Sequence, residues 1–329
     1  MLDTHHSGTN QAVSHLLSHD LLLYMTTMSE IMLTPEMRAL GKSGIMVSPI
    51  AWGMWRFGHA SQTEGRALIE AAFAAGVTLF DTADIYGFDG SGGFGDAEAL
   101  LGRIFADAPE LRARMVLATK GGITPPVPYD SGRDYLMAAL DASLTRLQVE
   151  QVDLYQIHRP DILARPQEVA RTLEEMVTSG KVRAVGVSNY TVPQTQAIAA
   201  LLTIPLASVQ PEFSALALDP ITDGLFDLTM ERDVAVLAWS PLGGGRIGAP
   251  EDARSKAVAA ALDVVAEAAG VSRATAAYAW IMAHPARAIP IVGTQNVARI
   301  GEIADVYKVR FTRQSWYDVL VASRGERLP

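Results

Sequence analysis

The chain has 329 residues, no cysteine and a formal net charge of −9 at pH 7. The absence of cysteine excludes disulfides and thiolate metal sites and is compatible with a reducing compartment, and the negative charge argues against nucleic acid as the main partner. No apolar run approaches the roughly 20 residues of a membrane-spanning helix. We therefore expect a cytoplasmic protein that contacts neither nucleic acid nor membrane.

The first 34 residues are expected to lie outside the folded domain. Residues 16–24 are rich in leucine but are interrupted by polar side chains, and no lysine or arginine precedes them, so a signal peptide is not expected. Residues 1–34 are predicted to form a disordered tail, and residues 35–329 a single domain. A start codon assigned too far upstream is the alternative explanation, with Met25, Met28 and Met32 as other starts.

Short apolar runs alternate with helical patterns along the rest of the chain. Residues 40–45, with glycine on either side of a turn, predict a link between two short strands. Eight further strands are predicted near Ile50, Leu79, Leu117 and Leu154 and over residues 181–187, 207–210, 234–239 and 288–292. Amphipathic helices are predicted over residues 63–75, 133–147 and 165–179. This alternation fits one (β/α)8 barrel, which needs about 250 residues.

Titratable side chains follow three of the predicted strands. Asp81 and Tyr86 stand five residues apart after the strand at 76–80, while Lys120 and His158 end the next two strands. Taken one at a time, they are explained as a turn cap, a rim aromatic, a solvated cation and a hydrogen-bonded imidazole. The carboxyl ends of parallel strands meet at one face of a barrel, so their coincidence favours a catalytic site.

The chemistry of these four groups favours protonation of a developing alkoxide. A phenol has a pKa near ~10, and a neighbouring ammonium such as Lys120 would lower the pKa of Tyr86 by stabilising the phenolate. Asp81 would keep the buried ammonium charged, and His158 would orient a carbonyl oxygen through a hydrogen bond.

These segments resemble the aldo-keto reductase superfamily. The runs at 80–87 (FDTADIYG), 118–120 (ATK) and 153–160 (DLYQIHRP) are similar to its three catalytic segments in order and spacing, and the resemblance extends from about Met37 to near the C-terminus. It implies an α/β fold, a (β/α)8 TIM barrel with an N-terminal β-hairpin closing the bottom and extra C-terminal helices. It also implies metal-free reduction of aldehydes or ketones with NADPH, in which Tyr86 is the general acid, Lys120 and Asp81 tune it, and His158 positions the carbonyl.

The resemblance further implies a nicotinamide site in the second half of the chain. Ser188, Asn189 and Gln210 would bind the carboxamide and Trp239 would stack on the ring, although helix caps and a core tryptophan are ordinary alternatives. The loop at 240–246 is rich in glycine, and its amides can approach a pyrophosphate closely, with Arg246 adding charge. The other cofactor-binding residues expected in this loop and after the eighth strand are Ser240, Pro241, Leu242, Gly243, Gly293, Thr294, Asn296, Arg299 and Glu302.

The segment after the eighth strand bears on the choice of cofactor. Thr294 or Asn296 is expected to cap a helix whose N-terminal amides favour an anion. Arg299 resembles the family arginine that pairs with the adenosine 2′-phosphate, which favours NADPH. The chain departs from the family pattern at Gly293, where many members carry lysine, and at Ile303, where asparagine is common. NADH therefore stays an alternative.

Substrate contacts are expected from loops over the barrel mouth. Trp55, Arg56 and Tyr129 lie in such loops, and the glycine-rich stretch 87–95 suits a mobile gate. The leading interpretation is an NAD(P)H-dependent reductase of a small-molecule carbonyl compound. One alternative is a cofactor-binding regulatory subunit or redox sensor on the same fold. Another is a metal- or phosphate-dependent barrel enzyme, which the lack of clustered His and Asp ligands at strand ends disfavours. The substrate, the reaction direction and the oligomeric state stay open.

Overall fold

The centre of the fold is a closed barrel of eight parallel strands in a computed structural model that describes residues 30–329. Each strand pairs with its successor in the chain, and the last pairs with the first to close the barrel. In chain order the strands are β1 (Ala51–Gly53), β2 (Leu79–Asp81), β3 (Val116–Gly121), β4 (Val152–Ile157), β5 (Val182–Ser188), β6 (Leu206–Gln210), β7 (Ala235–Ala238) and β8 (Ile289–Val292). The fold class expected from the sequence is confirmed.

Helices surround the barrel. They are α1 (Gln62–Ala74), α2 (Asp96–Asp107), α3 (Pro109–Ala113), α4 (Arg133–Leu147), α5 (Pro166–Thr178), α6 (Val192–Leu201), α7 (Asp219–Thr222), α8 (Leu225–Arg232), α9 (Ala253–Ala269), α10 (Arg273–Met282), α11 (Val297–Gly301) and α12 (Arg313–Arg324). Short 3-10 turns occupy Phe57–His59, Gly243–Gly245 and Glu302–Lys308. The bounds of α4 are those predicted, and α1 and α5 differ from prediction by one residue at each end.

Two apolar layers hold the barrel together because its strands are buried on both faces. All six residues of β4 are buried. The larger layer lies between strands and helices, and includes Leu117, Leu140 and Leu173. The smaller layer includes Leu79 of β2 and Leu154 of β4. Successive side chains on a strand point to opposite faces, so the smaller layer fills the barrel interior.

A short hairpin precedes the barrel. Strands Arg38–Ala39 and Met46–Val47 pair antiparallel, and the side chains of Leu40 and Ile45 in the intervening turn pack in the interior layer with Ala207 of β6. Gly41 has a φ of 54°, and a Cβ there would stand 2.5 Å from the carbonyl oxygen of Ala207. Glycine therefore lets the turn approach the start of β6 closely.

A short strand at the start of the described residues pairs with one that precedes the last helix. Ile31–Met32 pairs antiparallel with Arg310–Phe311. This first strand precedes residue 35, where the domain was expected to begin. Most of the tail predicted over residues 1–34 lies outside the described residues. Within residues 30–329, no helix combines the length and the apolar composition needed to cross a bilayer.

Candidate active site

Asp81, Tyr86 and Lys120 meet at the carboxyl end of β2 and β3. The ammonium nitrogen of Lys120 donates to Asp81 Oδ2 at 2.6 Å, to the carbonyl oxygen of Thr82 at 2.8 Å and to Tyr86 Oη at 3.1 Å. An ammonium group has three N–H bonds, and all three are used. Lys120, which is fully buried, is therefore fixed in position and orientation.

Strand register brings His158 to the same place. Lys120 on β3 lies opposite Gln156 on β4, and His158 follows β4, where its backbone N–H extends the ladder by donating to the oxygen of Gly121 at 2.8 Å. The His158 ring stands edge-on to the Tyr86 ring, with 5.9 Å between centroids. The four residues that the sequence singled out therefore lie together, with Tyr86 in contact with Lys120 and its ring beside that of His158.

Electrostatics keep Lys120 charged and Tyr86 protonated. Burial acts to lower the pKa of Lys120, but the carboxylate of Asp81 and the Tyr86 oxygen outweigh it, so that pKa is raised. Burial raises the pKa of Tyr86 and exceeds the opposing effect of Lys120, while Asp81 raises it further. The sequence argument identified the effect of Lys120 correctly but gave the wrong net direction for Tyr86. The phenol therefore carries its proton at neutral pH.

His158 is neutral for a related reason. Burial lowers its pKa well below 6.5, and the positive charges of Lys120 and Arg159 lower it further. Its Nδ1 atom is buried and has no hydrogen-bond partner among residues 30–329. A neutral imidazole donates from one nitrogen and accepts at the other, so His158 can hydrogen-bond a carbonyl oxygen.

The lowered pKa of His158 predicts a pH-dependent stability. A histidine whose folded pKa lies below its unfolded value of about 6.5 contributes stability above that pH and loses it as the pH falls towards the folded pKa. We expect the free energy of unfolding to decrease below about pH 6.5, and less steeply in His158→Gln. Urea unfolding at a series of pH values measures both slopes. His284, whose pKa is also lowered, contributes equally to both proteins. Equal slopes in wild type and His158→Gln would contradict a lowered pKa at His158.

The four residues expected around the nicotinamide form one hydrogen-bonded group. Ser188 Oγ donates to the oxygen of Gln210 at 2.9 Å, and Asn189 Nδ2 donates to Ser188 Oγ at 2.8 Å and to the oxygen of His158 at 3.1 Å. Trp239 Nε1 donates to Asn189 Oδ1 at 2.9 Å. The group is therefore tied directly to the segment that carries His158.

The remaining cofactor candidates lie after β7 and β8, and no hydrogen bond joins their side chains to Asp81, Tyr86, Lys120 or His158. Ser240 Oγ accepts from the N–H of Gly244 at 2.8 Å within the glycine-rich turn. Asn296 Oδ1 accepts from the N–H of Arg299 at 3.1 Å, so Asn296, rather than Thr294, caps α11. Pro241 and Gly243 are buried, Leu242 and Thr294 are half-buried, and Gly293, Arg299 and Glu302 are exposed.

The substrate candidates are exposed on loops and likewise share no hydrogen bond with the four candidate catalytic residues in the described chain. Trp55 is 67% exposed, and the guanidinium of Arg56 lies 5.4 Å from its ring centroid. Tyr129 is 40% exposed in the loop between β3 and α4. Among the described residues, no group of three or more His, Cys, Asp or Glu side chains is arranged to hold a metal ion.

Two residues near the site were missed in the sequence. Arg159 places its guanidinium 5.7 Å from the Trp239 ring centroid, and its charge lowers the pKa of His158. Gln156 Nε2 donates to Asp81 Oδ1 at 3.4 Å. The sequence contained a signal for each residue. Arg159 is the direct neighbour of His158. Gln156 lies two residues before His158, and residues two apart on a strand point to the same face.

Comparisons with known proteins concern the family and the fold of the chain. A model of the aldo/keto reductase family matches residues 49–320. A protein named 6-dehydroglucose reductase from Novosphingobium aromaticivorans is 59% identical over 304 residues, covering 92% of this chain and 100% of that protein. One of the same name from Agrobacterium fabrum is 36% identical over 294 residues, covering 86% and 96%. The solved glycerol dehydrogenase of Gluconobacter oxydans shares the fold, with a TM-score of 0.77, 24% identity and coverage of 90% and 98%.

Proposed function

The chain belongs to the aldo/keto reductase family of oxidoreductases, and from this premise we propose that it reduces an aldehyde to an alcohol with NADPH. The observation that carries the proposal is the contact of 3.1 Å between the Lys120 ammonium and the Tyr86 hydroxyl. It pairs a protonated phenol with a fixed positive charge. Such a pair suits a proton donor whose conjugate base must be stabilised as it forms.

In the proposed mechanism, His158 and Tyr86 both donate hydrogen bonds to the carbonyl oxygen of the substrate. The cofactor, when bound, supplies the hydride that reduces the carbonyl carbon. As negative charge develops on the oxygen, the O–H bond of Tyr86 breaks and its proton passes to that oxygen. Lys120 stabilises the resulting tyrosinate, and Asp81 keeps Lys120 charged in a site with little water.

We propose 6-dehydroglucose, or a closely similar sugar aldehyde, as the substrate. The support is the name shared by two relatives, one of them 59% identical over 92% of this chain. Arg159 gives physical support. Its half-buried guanidinium lies beside Trp239 and close enough to His158 and Tyr86 to lower the pKa of His158 and oppose the rise at Tyr86. A guanidinium has five N–H donors, and sugar hydroxyls accept such bonds.

NADPH oxidation, followed with 6-dehydroglucose and with a panel of aliphatic aldehydes and ketones, tests the proposal. We expect multiple turnovers and the highest kcat/KM for 6-dehydroglucose. A higher kcat/KM for a simple aldehyde would remove the sugar assignment and leave the reductase assignment in place. Binding of NADPH without turnover of any carbonyl compound would contradict the reductase assignment and favour a regulatory protein.

The chain's own groups fit a nicotinamide dinucleotide. The Asn189 side chain accepts from the indole of Trp239, and Ser188 joins Asn189 to the backbone of Gln210. Polar groups beside an indole suit a carboxamide on a flat ring. Gly244 and Gly245 have φ values of 70° and 95°, and a Cβ at either would meet nothing within 4 Å. Open backbone of this kind suits close approach of a pyrophosphate.

Arg299 is proposed to bind the 2′-phosphate that distinguishes NADPH from NADH. Arg299→Ala is expected to weaken NADPH binding by about 1.5–3 kcal/mol, the usual value for a lost charged hydrogen bond, and to change NADH binding little. Fluorescence titration of both cofactors measures the difference. Arg171→Ala, at another exposed arginine, serves as the control. Equal losses for NADPH and NADH in Arg299→Ala would remove the argument for NADPH.

A further inference from the structure

The carboxylate of Asp81 is held from two sides by different chemistry. Its Oδ2 accepts from Lys120 at 2.6 Å, whereas its Oδ1 accepts from Gln210 Nε2 at 2.9 Å and from Gln156 Nε2 at 3.4 Å. We propose that Gln156 is a positioning residue for proton donation, acting through Asp81 and Lys120 on Tyr86. This inference rests on the reductase function proposed above.

Strand register places Gln156 in a polar layer inside the barrel. Lys120, Gln156, Gly186 and Ser208 lie side by side on β3, β4, β5 and β6. The three of them that have side chains are fully buried and polar, whereas Leu154, two residues earlier on β4, belongs to the apolar interior layer. Burying three polar side chains at one level of the barrel is unfavourable unless they are hydrogen-bonded. The role of each side chain therefore follows from its hydrogen-bond partners.

Ser208 fixes the direction of the Gln156 amide. Ser208 Oγ donates to Gln156 Oε1 at 3.2 Å, which turns the Gln156 NH2 group towards Asp81. Gly186 provides the space for this contact, because a Cβ there would stand 2.2 Å from Ser208 Oγ and 3.1 Å from Gln156 Cγ. Because the Gln156 amide is held at both ends, its NH2 group is a donor already in place for Asp81 Oδ1.

The donors on Oδ1 fix the orientation of the Asp81 carboxylate in the ion pair. A buried carboxylate with N–H donors is stabilised in its charged form. With Oδ1 held by two amides, Oδ2 faces the Lys120 ammonium at 2.6 Å, and the ammonium is held 3.1 Å from Tyr86 Oη. Without Gln156, Oδ1 has one donor fewer, and the carboxylate holds the ammonium less firmly beside Tyr86. Tyr86 would then transfer its proton less readily.

Gln156 and Gln210 both donate to Asp81 but differ in their other hydrogen-bond partners. Gln210 hydrogen-bonds Asp81 and accepts from Ser188 through its backbone, within the group proposed to hold the nicotinamide. Gln156 is fully buried between Asp81 and Ser208. Removal of its amide should therefore reduce the rate of the chemical step without changing cofactor affinity.

Gln156→Leu tests this prediction, since leucine fills the space without donating. We expect kcat for aldehyde reduction to fall about threefold to tenfold, a modest loss because the bond is long, with KM and the Kd for NADPH within about twofold of wild type. The matched control is Thr172→Val, at a buried hydroxyl on α5 that donates to the oxygen of Glu168 within its own helix. It should alter stability and leave kcat unchanged. Equal kcat values in the two variants, or a loss of NADPH affinity in Gln156→Leu as large as the loss of kcat, would overturn the proposal.

Gln156→Glu adds a readout that a purely structural role would not change. The introduced carboxyl group can donate to Asp81 only when protonated, and burial beside Asp81 raises its pKa. We expect kcat in Gln156→Glu to approach the wild-type value at low pH and to fall as the pH rises, whereas the loss in Gln156→Leu should be the same at every pH. A Gln156→Glu profile parallel to that of wild type would also overturn the proposal.

A stability measurement separates failure of this inference from failure of the proposed function. If wild type reduces no carbonyl compound, the reductase assignment fails. Contact between residues 156 and 81 is then still testable by the thermal unfolding of Gln156→Glu. A carboxyl with a raised folded pKa stabilises below its unfolded pKa and loses that contribution as the pH rises, so the Tm of Gln156→Glu should drop relative to Gln156→Leu from about pH 5 to 8. Adding Asp81→Asn to both Gln156 variants should make this drop in Tm smaller. A drop of unchanged size would rule out the contact between residues 156 and 81.

Discussion

Replacing Tyr86 with phenylalanine is expected to lower kcat for aldehyde reduction by about 10²–10⁴-fold, the range for loss of a positioned general acid. The substitution removes the hydroxyl that accepts from Lys120 at 3.1 Å and leaves the ring beside His158. Because the phenol lies outside the group proposed to hold the nicotinamide, the Kd for NADPH should be nearly unchanged. Steady-state NADPH oxidation and fluorescence titration measure the two quantities.

Tyr317→Phe is the control for this experiment, since Tyr317 lies on α12 and is 38% exposed. It should have wild-type kcat and wild-type cofactor affinity. Full activity in Tyr86→Phe would show that the proton comes from another group. A large loss of NADPH affinity in Tyr86→Phe would place the phenol at the cofactor instead of at the carbonyl oxygen.

Lys120→Met is expected to have the second large effect, on both stability and rate. It leaves Asp81, which is 2% exposed, without its ammonium partner. Breaking a buried ion pair by removing one partner destabilises a protein by about 3–5 kcal/mol, because the remaining charge is uncompensated. The phenolate of Tyr86 also loses its stabilising charge, so kcat should fall by about 10²-fold or more. Urea unfolding and steady-state kinetics measure these effects.

An exposed ion pair in the same chain supplies the control. Lys181 Nζ lies 2.6 Å from Asp141 Oδ1, and both side chains are at least one third exposed. Lys181→Met should change the free energy of unfolding by no more than about 1 kcal/mol and leave kcat unaltered, because solvent screens such pairs. Similar losses of stability in Lys120→Met and Lys181→Met would contradict the special position assigned to Lys120.

Much of the fold, and the convergence of the candidate catalytic residues, could be predicted from the sequence. The alternation of short apolar strands with amphipathic helices indicated a parallel barrel, and parallel strands deliver the residues at their carboxyl ends to one face. Asp81, Lys120 and His158 stand at or just after such ends, so their convergence follows from topology alone. The bounds of α4 were predictable because apolar periodicity continues to Leu147.

Other features depended on tertiary distances that a linear pattern does not contain. The net direction of the Tyr86 pKa is decided by burial, which outweighs the neighbouring ammonium, and burial is a property of the whole fold. Gln156 gains its significance from contacts to Asp81 and Ser208, which are contributed by two other strands. The choice of Asn296 over Thr294 as the cap of α11 required the backbone geometry at that turn.

Isotope transfer tests most directly whether hydride reduction and Tyr86 protonation occur together at this site. NADPH carrying deuterium at the transferred position of the nicotinamide is incubated with 6-dehydroglucose and wild-type protein, and the sugar product is analysed by mass spectrometry. We predict a product with one deuterium on the former aldehyde carbon, formed at a rate that Tyr86→Phe reduces by about 10²–10⁴-fold. An unlabelled alcohol, or labelled alcohol formed equally fast by Tyr86→Phe, would contradict the account.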